Sequence, residues 1–308
     1  MNVFLGIALQ LGATFSFTVM GALVRYVGGR VPLGEQVFTR SFFALIPLVA
    51  MLLWRNQLAS AVRTKNPFGH VLRGLTGVIA MVCMFAALAR LPLVDATAIG
   101  FATPLINVAL AAIFLGEKVH VFRWTAVAIG FVGVMVMLSP HLFGAGREAT
   151  SAAGALYAIT GAFLTAAAMT QVRHMSATET TASLVFSFSL IATLASLASI
   201  PWGWIKPSPM DSLILFLTGI VGGIAQIMIT ESYRHAGAGT VAPFSYTAML
   251  WSIALGFFVF GEVPEAIVLI GAALVIAAGL FVIFRERSLG IDRTLEREAE
   301  TPPVGPAV

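Results

Sequence analysis

The stretch AIVLIGAALVIAAGLFVIF, residues 266–284, contains no charged side chain and is followed directly by Arg285-Glu286-Arg287. An α-helix rises about 1.5 Å per residue, so about 20 apolar residues are enough to cross the hydrocarbon layer of a membrane. Comparable runs occupy most of the chain, which is 58% hydrophobic and 10% charged. Because a soluble domain carries about 25% charged residues, this composition predicts an integral membrane protein.

The same length criterion predicts ten membrane spans. Most of them end at a charge, a Gly or a Pro, as at Gly28-Gly29-Arg30, Arg90-Leu91-Pro92 and Pro201-Trp202. The predicted spans lie near residues 3–24, 36–54, 71–89, 94–115, 122–139, 152–172, 181–200, 211–233, 240–260 and 264–284. We therefore expect an all-α membrane fold with short connections.

The distribution of Lys and Arg predicts how the chain is oriented. Ten spans place both termini on the same side, where twelve of the 18 Lys and Arg residues lie; the opposite side has five, and Arg40 lies inside the second span. Cytoplasmic loops carry the positive excess, so we expect a multi-pass protein of the bacterial cytoplasmic (inner) membrane with both termini in the cytoplasm. Residues 285–308 are polar, mixed in charge and Pro-rich at the end, which predicts a disordered cytoplasmic tail.

The second half of the chain repeats the first. A shift of 145 residues aligns 74–117 with 219–262, and a shift of 148 aligns the first and sixth spans. The aligned identities include Gly74 with Gly219, Gly77 with Gly222, Gly116-Glu117 with Gly261-Glu262, Gly6 with Gly154, Phe15 with Phe163 and Arg25 with Arg173. We predict a first five-helix repeat at residues 1–148 and a second at 149–284.

Five spans per repeat is an odd number, so the second copy must enter the membrane upside down. The predicted fold is therefore ten transmembrane helices arranged as two inverted five-helix repeats. Inverted repeats are a recurring design of secondary carriers, because exchanging the conformations of the halves opens a central site to either side. The alternative is a repeat that only packs well, as in a channel or a scaffold.

Several short motifs accompany the repeat. Thr39-Arg40-Ser41-Phe42-Phe43 opens the second span, Ala102-Thr103-Pro104 lies within the fourth, and the two Gly-Glu pairs close spans. With these motifs the chain resembles the drug/metabolite transporter (DMT) superfamily, specifically its EamA-like ten-helix family, over residues 3–284. The resemblance implies a carrier whose central cavity is lined mainly by spans one, three, four, six, eight and nine.

The second half departs from the first at two positions of these motifs. Near the position of Arg40 it has Leu184, and opposite Pro104 it has Met249, while its own proline comes earlier at Pro243. The two halves are therefore not expected to contribute equal side chains to the site.

Two ionisable residues lie clearly within predicted spans, where charge is costly and often functional. Arg40 either extends to the outer interface, paired with Glu35, or faces inward in substrate binding or gating. Glu231, near the cytoplasmic end of the eighth span, either forms a local ion pair with Arg234 and His235 or couples transport to protons.

Uncharged polar and aromatic residues supply the remaining substrate-binding candidates. Pro104 removes a backbone donor in mid-span and frees the carbonyl of Gly100, which either presents that carbonyl to a substrate or only kinks the helix. Each of the others either faces the cavity or makes a helix–helix contact. As a set they suit a small polar or zwitterionic metabolite. They are Thr103, Asn107, Tyr157, Gln226, Ser245, Tyr246 and Trp251.

Other kinds of function lack their residue patterns. The chain has no P-loop motif for ATP hydrolysis, no metal-ligand spacing, no catalytic nucleophile–base pair and no aromatic–basic alternation for nucleic acid, so we expect no cofactor, catalytic residue or nucleic-acid partner. Glu117 and Glu262, which close spans, are expected to be structural.

The sequence therefore predicts a secondary transporter, a monomer or homodimer in the lipid bilayer, that moves a small-molecule substrate by alternating access. Within the family it resembles, efflux of an amino acid or a related compound is the commoner expectation. The alternative is uptake of a vitamin or a nucleoside-like compound such as riboflavin or S-adenosylmethionine. A non-transporting membrane scaffold or sensor is the alternative from a different class.

Overall fold

The computed structural model describes residues 2–114, 121–143, 149–176, 178–236 and 238–288, and all regular elements of this part of the chain are helices. The α-helices are α1 Val3–Val27, α2 Leu33–Trp54, α3 Leu58–Val62, α4 Pro67–Leu88, α5 Leu93–Gly100, α6 Ala102–Phe114, α7 Val121–Phe143, α8 Ala149–Met175, α9 Thr181–Leu197, α10 Pro209–His235, α11 Ala238–Val241, α12 Thr247–Phe260 and α13 Ala266–Ser288. The predicted all-α fold is thus confirmed for these residues.

Four of the long helices begin at a polar residue whose side-chain oxygen accepts a hydrogen bond from a backbone N–H of the first turn. These bonds are 2.9–3.1 Å long and satisfy amide groups that have no partner within the helix. The pairs are Asn2 with Leu5 in α1, Asn66 with Gly69 in α4, Thr180 with Ser183 in α9 and Ser208 with Asp211 in α10.

Nine helical segments of the described chain are long and apolar enough to cross a membrane. They correspond to nine of the predicted spans, and α9, a shorter apolar helix of 17 residues, corresponds to the span predicted at 181–200. The C-terminal helix α13 continues to Ser288, past the predicted start of the tail at residue 285, because Arg and Glu sustain a helix well. Residues 289–308 and Glu117 lie outside the described residues.

The span Leu93–Phe114 consists of two helices, α5 and α6, which are interrupted at Phe101. There the Phe101 N–H turns to the carbonyl of Ala98, at 3.1 Å, in a tighter 3₁₀-type bond. The interruption lies in the helical turn before Pro104. In a regular helix the Pro104 ring would clash with the carbonyl of Gly100, four residues earlier. A 3₁₀ segment, Ala242–Tyr246, similarly precedes α12.

The long helices pack in pairs that join the two halves of the chain. The most extensive contacts join α1 to α10, α4 to α8, and α7 to α13. Helix α2 packs against both α9 and α10, α4 also contacts α9, α12 lies against α1 and α5, and α6 lies against α8.

Glycines permit the closest of these approaches. Gly133 of α7 and Gly271 of α13 face each other, and a Cβ at Gly271 would lie 2.6 Å from the carbonyl oxygen of Gly133. Gly223 of α10 lies against Pro47 and Ala44 of α2 in the same way. Small residues at these crossings let the helix backbones approach, as is common between membrane helices.

Candidate functional site

Arg40 lies two turns into α2 and is buried, with 6% of its surface exposed. Its Nε atom has no hydrogen-bond partner, and no carboxylate of the described chain pairs with its guanidinium group. A buried charge without a partner is costly, so it persists only where function or a bound group compensates. Arg40 is therefore the residue from which the site is built.

The Arg40 side chain adjoins a small cavity between α2, α9 and α10. This cavity, here called the Arg40 cavity, combines the cation with two neutral polar groups, Ser189 and Gln226, on an otherwise apolar wall. Its lining residues are Arg40, Ala44, Leu48, Val185, Phe188, Ser189, Gly223 and Gln226. The resemblance implied a cavity lined by spans one, three, four, six, eight and nine. Of these, only the eighth, α10, lines the Arg40 cavity, and the other two walls are α2 and α9.

The interpretation that Arg40 extends to the outer interface and pairs with Glu35 is wrong. Arg40 is buried, and the Glu35 carboxylate accepts a hydrogen bond from the backbone N–H of Ile205 at 3.2 Å. Residues five positions apart on a helix point to different faces, so Glu35 and Arg40 do not meet.

A second cation, the half-buried Arg73 of α4, lies close to the Arg40 cavity. Its guanidinium carbon is 4.1 Å from the centroid of the Phe188 ring, a cation–π contact. Its Nε and Nη1 atoms are buried without hydrogen-bond partners. Sequence reasoning missed Arg73 because a cation in the second turn of a span was counted with those of the cytoplasmic side.

Glu231 near the end of α10 is held by two guanidinium groups. Arg55 at the end of α2 donates to both carboxylate oxygens, at 2.6 and 2.9 Å, and Arg234 approaches at 3.0 Å. The local pairing with Arg234 that the sequence predicts is present, and Arg55 is a partner from a distant part of the chain. Proton coupling by Glu231, the alternative to this pairing, is not tested by these contacts.

The polar candidates near α12 contact α1. Gln10 of α1 donates to Ser245 at 2.8 Å and accepts from Ser232 of α10 at 2.8 Å. The Tyr246 ring packs on Phe101 at the interruption between α5 and α6, with ring centroids 5.3 Å apart. These contacts tie both interrupted segments to their neighbours.

Trp251 packs edge-on against Phe15 of α1, with ring centroids 5.3 Å apart, and its buried Nε1 has no hydrogen-bond partner. An indole N–H that is buried and unpaired is a donor available to a bound molecule. Trp251 does not line the Arg40 cavity.

The other candidates are spread over different helix contacts. Thr103 is buried, whereas Pro104 is exposed. Asn107 accepts a hydrogen bond from Thr170 of α8 at 2.9 Å, a helix–helix contact. Tyr157 is 40% exposed, and the Arg90 guanidinium lies 5.1 Å from its ring centroid. Of the nine substrate-binding candidates, the structure brings Arg40 and Gln226 together in one cavity.

The end of α12 carries an ion pair between the halves. Arg25 of α1 donates to Glu262, and the other carboxylate oxygen accepts from the backbone N–H of Leu93 at 2.9 Å. Arg25 also donates to the carbonyl of Leu88 at 3.2 Å and lies over the Phe260 ring. Glu262 thus connects α1, α5 and α12 at the end of the molecule opposite Glu231.

Apolar membrane-length helices around a cavity that contains an unpaired cation indicate a multi-pass membrane protein with a functional site among its helices. The chain belongs to the EamA-like transporter family, which matches residues 4–139 and 152–285. The predicted resemblance is thereby confirmed, and the family matches the chain in two segments. The bounds predicted for the two repeats, 1–148 and 149–284, stay a prediction. Across the described residues, no three His, Cys, Asp or Glu side chains form a group that could hold a metal ion.

Curated relatives of similar length are small-molecule transporters. The chain is 29% identical over 92% of its length to the S-adenosylmethionine uptake transporter of Rickettsia prowazekii (strain Madrid E), 93% of which is covered. It is 28% identical to the pseudopaline exporter CntI of Pseudomonas aeruginosa (strain UCBPP-PA14), over 89% of this chain and 94% of the exporter. It is also 28% identical to the riboflavin transporter of Rhizobium johnstonii (strain DSM 114642 / LMG 32736 / 3841), over 89% of each.

The fold also occurs in a solved structure. A protein crystal structure with 20% sequence identity matches with a TM-score of 0.64, over 92% of this chain and 98% of its own.

Proposed function

We propose that the protein is an alternating-access carrier of a small polar metabolite, built from ten transmembrane helices in two inverted five-helix repeats. In this proposal α9 is the seventh span, and both termini lie in the cytoplasm of a bacterium, with the chain in the inner membrane. The transporter family and the span-length helices support it.

The packing of the helices supports the inverted repeat. When each helix is replaced by its counterpart five spans away, the contact of α1 with α10 becomes that of α8 with α4, and the contact of α2 with α10 becomes that of α9 with α4. Likewise, the contact of α1 with α12 becomes that of α8 with α6 in the fourth span, and the pairs α7–α13 and α2–α9 map onto themselves, as does the contact of the whole fourth span, through α5, with α12. This is the pattern expected of two halves related by a two-fold axis.

Individual contacts follow the same relation. Gly222 of α10 adjoins Arg40, whereas its counterpart Gly77 of α4 adjoins Phe188. The positions of Arg40 and Phe188 differ by 148, the shift that also relates the first and sixth spans. These contacts therefore favour Phe188 as the counterpart of Arg40, instead of Leu184, which the sequence analysis had placed near that position.

The main evidence for the location of the substrate site is Arg40, which is buried and unpaired where helices of the two halves meet. Its cavity is formed by α2 of the first half and by α9 and α10 of the second. A group bound there touches both halves, so their relative movement can carry it from one side to the other.

Efflux of an amino acid or a related compound is the direction and substrate that we propose. Uptake of a nucleoside-like compound is the second candidate, because the relatives of Rickettsia are named S-adenosylmethionine uptake transporters. Metabolite profiles inside and outside cells that overexpress or lack the protein will separate these candidates.

Alternating access is tested with a single-cysteine reporter. Cys83, the one cysteine, is first replaced by Ser, and Ser189→Cys then places a thiol in the Arg40 cavity. A membrane-impermeant maleimide, added to right-side-out and to inverted vesicles, is expected to label this thiol from both faces. Ser41→Cys is the matched control, because Ser41 is fully buried beside Arg40 and does not line the cavity. Labelling of the Ser189→Cys thiol from a single face under all conditions contradicts the proposal.

A further inference from the structure

The Arg40 cavity and the Arg73 side chain share one aromatic ring. Phe188 lines the cavity with Arg40, and its ring also contacts the guanidinium group of Arg73. Both cations therefore adjoin the same residue, and their helices, α2 and α4, contact each other. Two like charges held close together in a buried setting repel each other, and an anion between them would relieve the repulsion.

The carboxylates of the surrounding helices are already engaged elsewhere. On α10, Glu231 binds Arg55 and Arg234, and Asp211 binds Arg30. On α2, the Glu35 carboxylate accepts from a backbone N–H. Helices α4 and α9 contain no acidic residue. None of these carboxylates is therefore the counter-ion of Arg40 or Arg73.

The orphaned atoms show which kind of group is missing. Nε of Arg40 and both Nε and Nη1 of Arg73 are buried N–H donors without acceptors. A guanidinium group matches a carboxylate with two parallel hydrogen bonds, and such charge-assisted bonds are the strong ones. The missing group is thus an acceptor with negative charge.

We propose that Arg40 and Arg73 together form an anion-binding site and that the transported metabolite carries net negative charge on carboxylate groups. This inference rests on the proposed carrier function and narrows its substrate class. A dicarboxylate or an acidic amino-acid derivative satisfies both cations, and Gln226 and Ser189 offer neutral hydrogen bonds to the rest of it. A cationic metabolite is disfavoured, because among the described residues no carboxylate lines the cavity to receive an ammonium or sulfonium group.

Phe188 fixes the arrangement. Because the Arg73 guanidinium lies over the ring, this cation–π contact positions its unpaired N–H donors. Across the repeat, Phe188 occupies the place of Arg40 in the 148-residue shift, and Thr218 occupies that of Arg73 in the 145-residue shift. The two cations therefore occur once in the molecule, as a pair, and define a single site.

The test measures ligand-induced stabilisation of the full-length protein purified in detergent. The probes are succinate, acetate and tetramethylammonium, each compared with sodium chloride of equal ionic strength. Succinate is expected to raise the unfolding temperature most, acetate less, and tetramethylammonium not at all. Arg40→Gln and Arg73→Gln are each expected to weaken succinate binding at least about tenfold. Arg30→Gln removes the same charge from an exposed ion pair with Asp211 and is expected to leave succinate binding unchanged.

Three results would overturn the inference. They are stabilisation by the cation instead of succinate, no response to either carboxylate, and an Arg73→Gln variant that unfolds more easily without any change in its succinate dissociation constant. The third would assign Arg73 a structural role only. None of these three results contradicts the proposed carrier function if the Ser189→Cys thiol is still labelled from both faces. One-sided labelling, in contrast, removes the carrier function itself.

Discussion

Glu179, between α8 and α9, shows how a single side chain can organise a membrane-protein loop. Its Oε1 atom accepts hydrogen bonds from the Thr64 hydroxyl and from the backbone N–H groups of Lys65 and Asn66, at 2.7–2.9 Å. His70 of α4 lies 3.4 Å from the other oxygen. Burial acts to raise the pKa of this carboxyl, but these hydrogen bonds outweigh burial and hold the pKa below its ordinary value.

Glu179→Gln is expected to lower the free energy of unfolding by about 1–3 kcal/mol at neutral pH, since it removes a charged acceptor from several donors. A carboxyl whose pKa is lower in the folded protein stabilises the fold above its ordinary pKa, and this contribution is lost as the pH falls through the folded-state pKa. The difference between variant and wild type should therefore disappear in acid. Thermal unfolding in detergent across this pH range measures it, and Glu265→Gln, on an exposed carboxylate, is the control.

Glu231 differs from Glu179 because its partners are cations. Glu231→Gln is expected to lower stability by about 1–3 kcal/mol and to leave the response of transport to a pH gradient unchanged, because two guanidinium groups favour the permanently charged form. Transport assays in vesicles with and without a gradient decide the point. Loss of the gradient response in Glu231→Gln would assign proton coupling to this residue instead.

At the scale of helices, the crossing of α7 and α13 depends on two glycines. Gly271→Ala is expected to cost about 1–3 kcal/mol of unfolding free energy, because the added Cβ meets the carbonyl oxygen of Gly133, a backbone atom that cannot move aside. Thermal unfolding measures the loss. Gly29→Ala is the control, since nothing lies within 4 Å of a Cβ at Gly29. Equal unfolding temperatures for the two variants would contradict close packing at this crossing.

Most helices could be predicted from the sequence, because a bilayer demands a long apolar run for each span. Pro104 likewise predicts an interruption, and the helix breaks at Phe101. Contacts between distant helices could not be predicted in this way. The Arg55–Glu231 pair joins residues 176 positions apart, and only the packing of α2 on α10 brings them together. The contact of Arg73 with Phe188 could not be predicted for the same reason, since Phe188 comes from the other half of the chain.

At the scale of the whole molecule, the Arg25–Glu262 pair joins α1 to α12 at one end of the bundle. If the halves move as proposed, this pair must separate when that end opens. Glu262→Gln is therefore expected to increase maleimide labelling of the Ser189→Cys thiol from the outer face several-fold. Glu265→Gln, three residues on and exposed, serves as the control. Unchanged labelling from the outer face would mean that the pair does not hold the end closed.

The two-fold relation was expected from an odd number of spans per repeat, and helix contacts now support it from a different kind of observation. The chemistry of the site was less predictable, because the repeat aligns backbones and leaves side chains free to differ. Glycines at crossings recur in both halves, since they serve packing, while the two cations do not recur.

The replacement of Arg40 by Phe188 across the repeat has an energetic consequence. A carrier with identical halves would have inward-facing and outward-facing states of equal free energy, populated equally when empty. In this protein Arg40 belongs to the first half and Phe188 to the second. If the two halves exchange conformations, the Arg40 charge therefore moves into a different environment. In the proposed carrier the two states would then have unequal free energies, and this pair of positions would contribute to the side that the empty protein prefers to face.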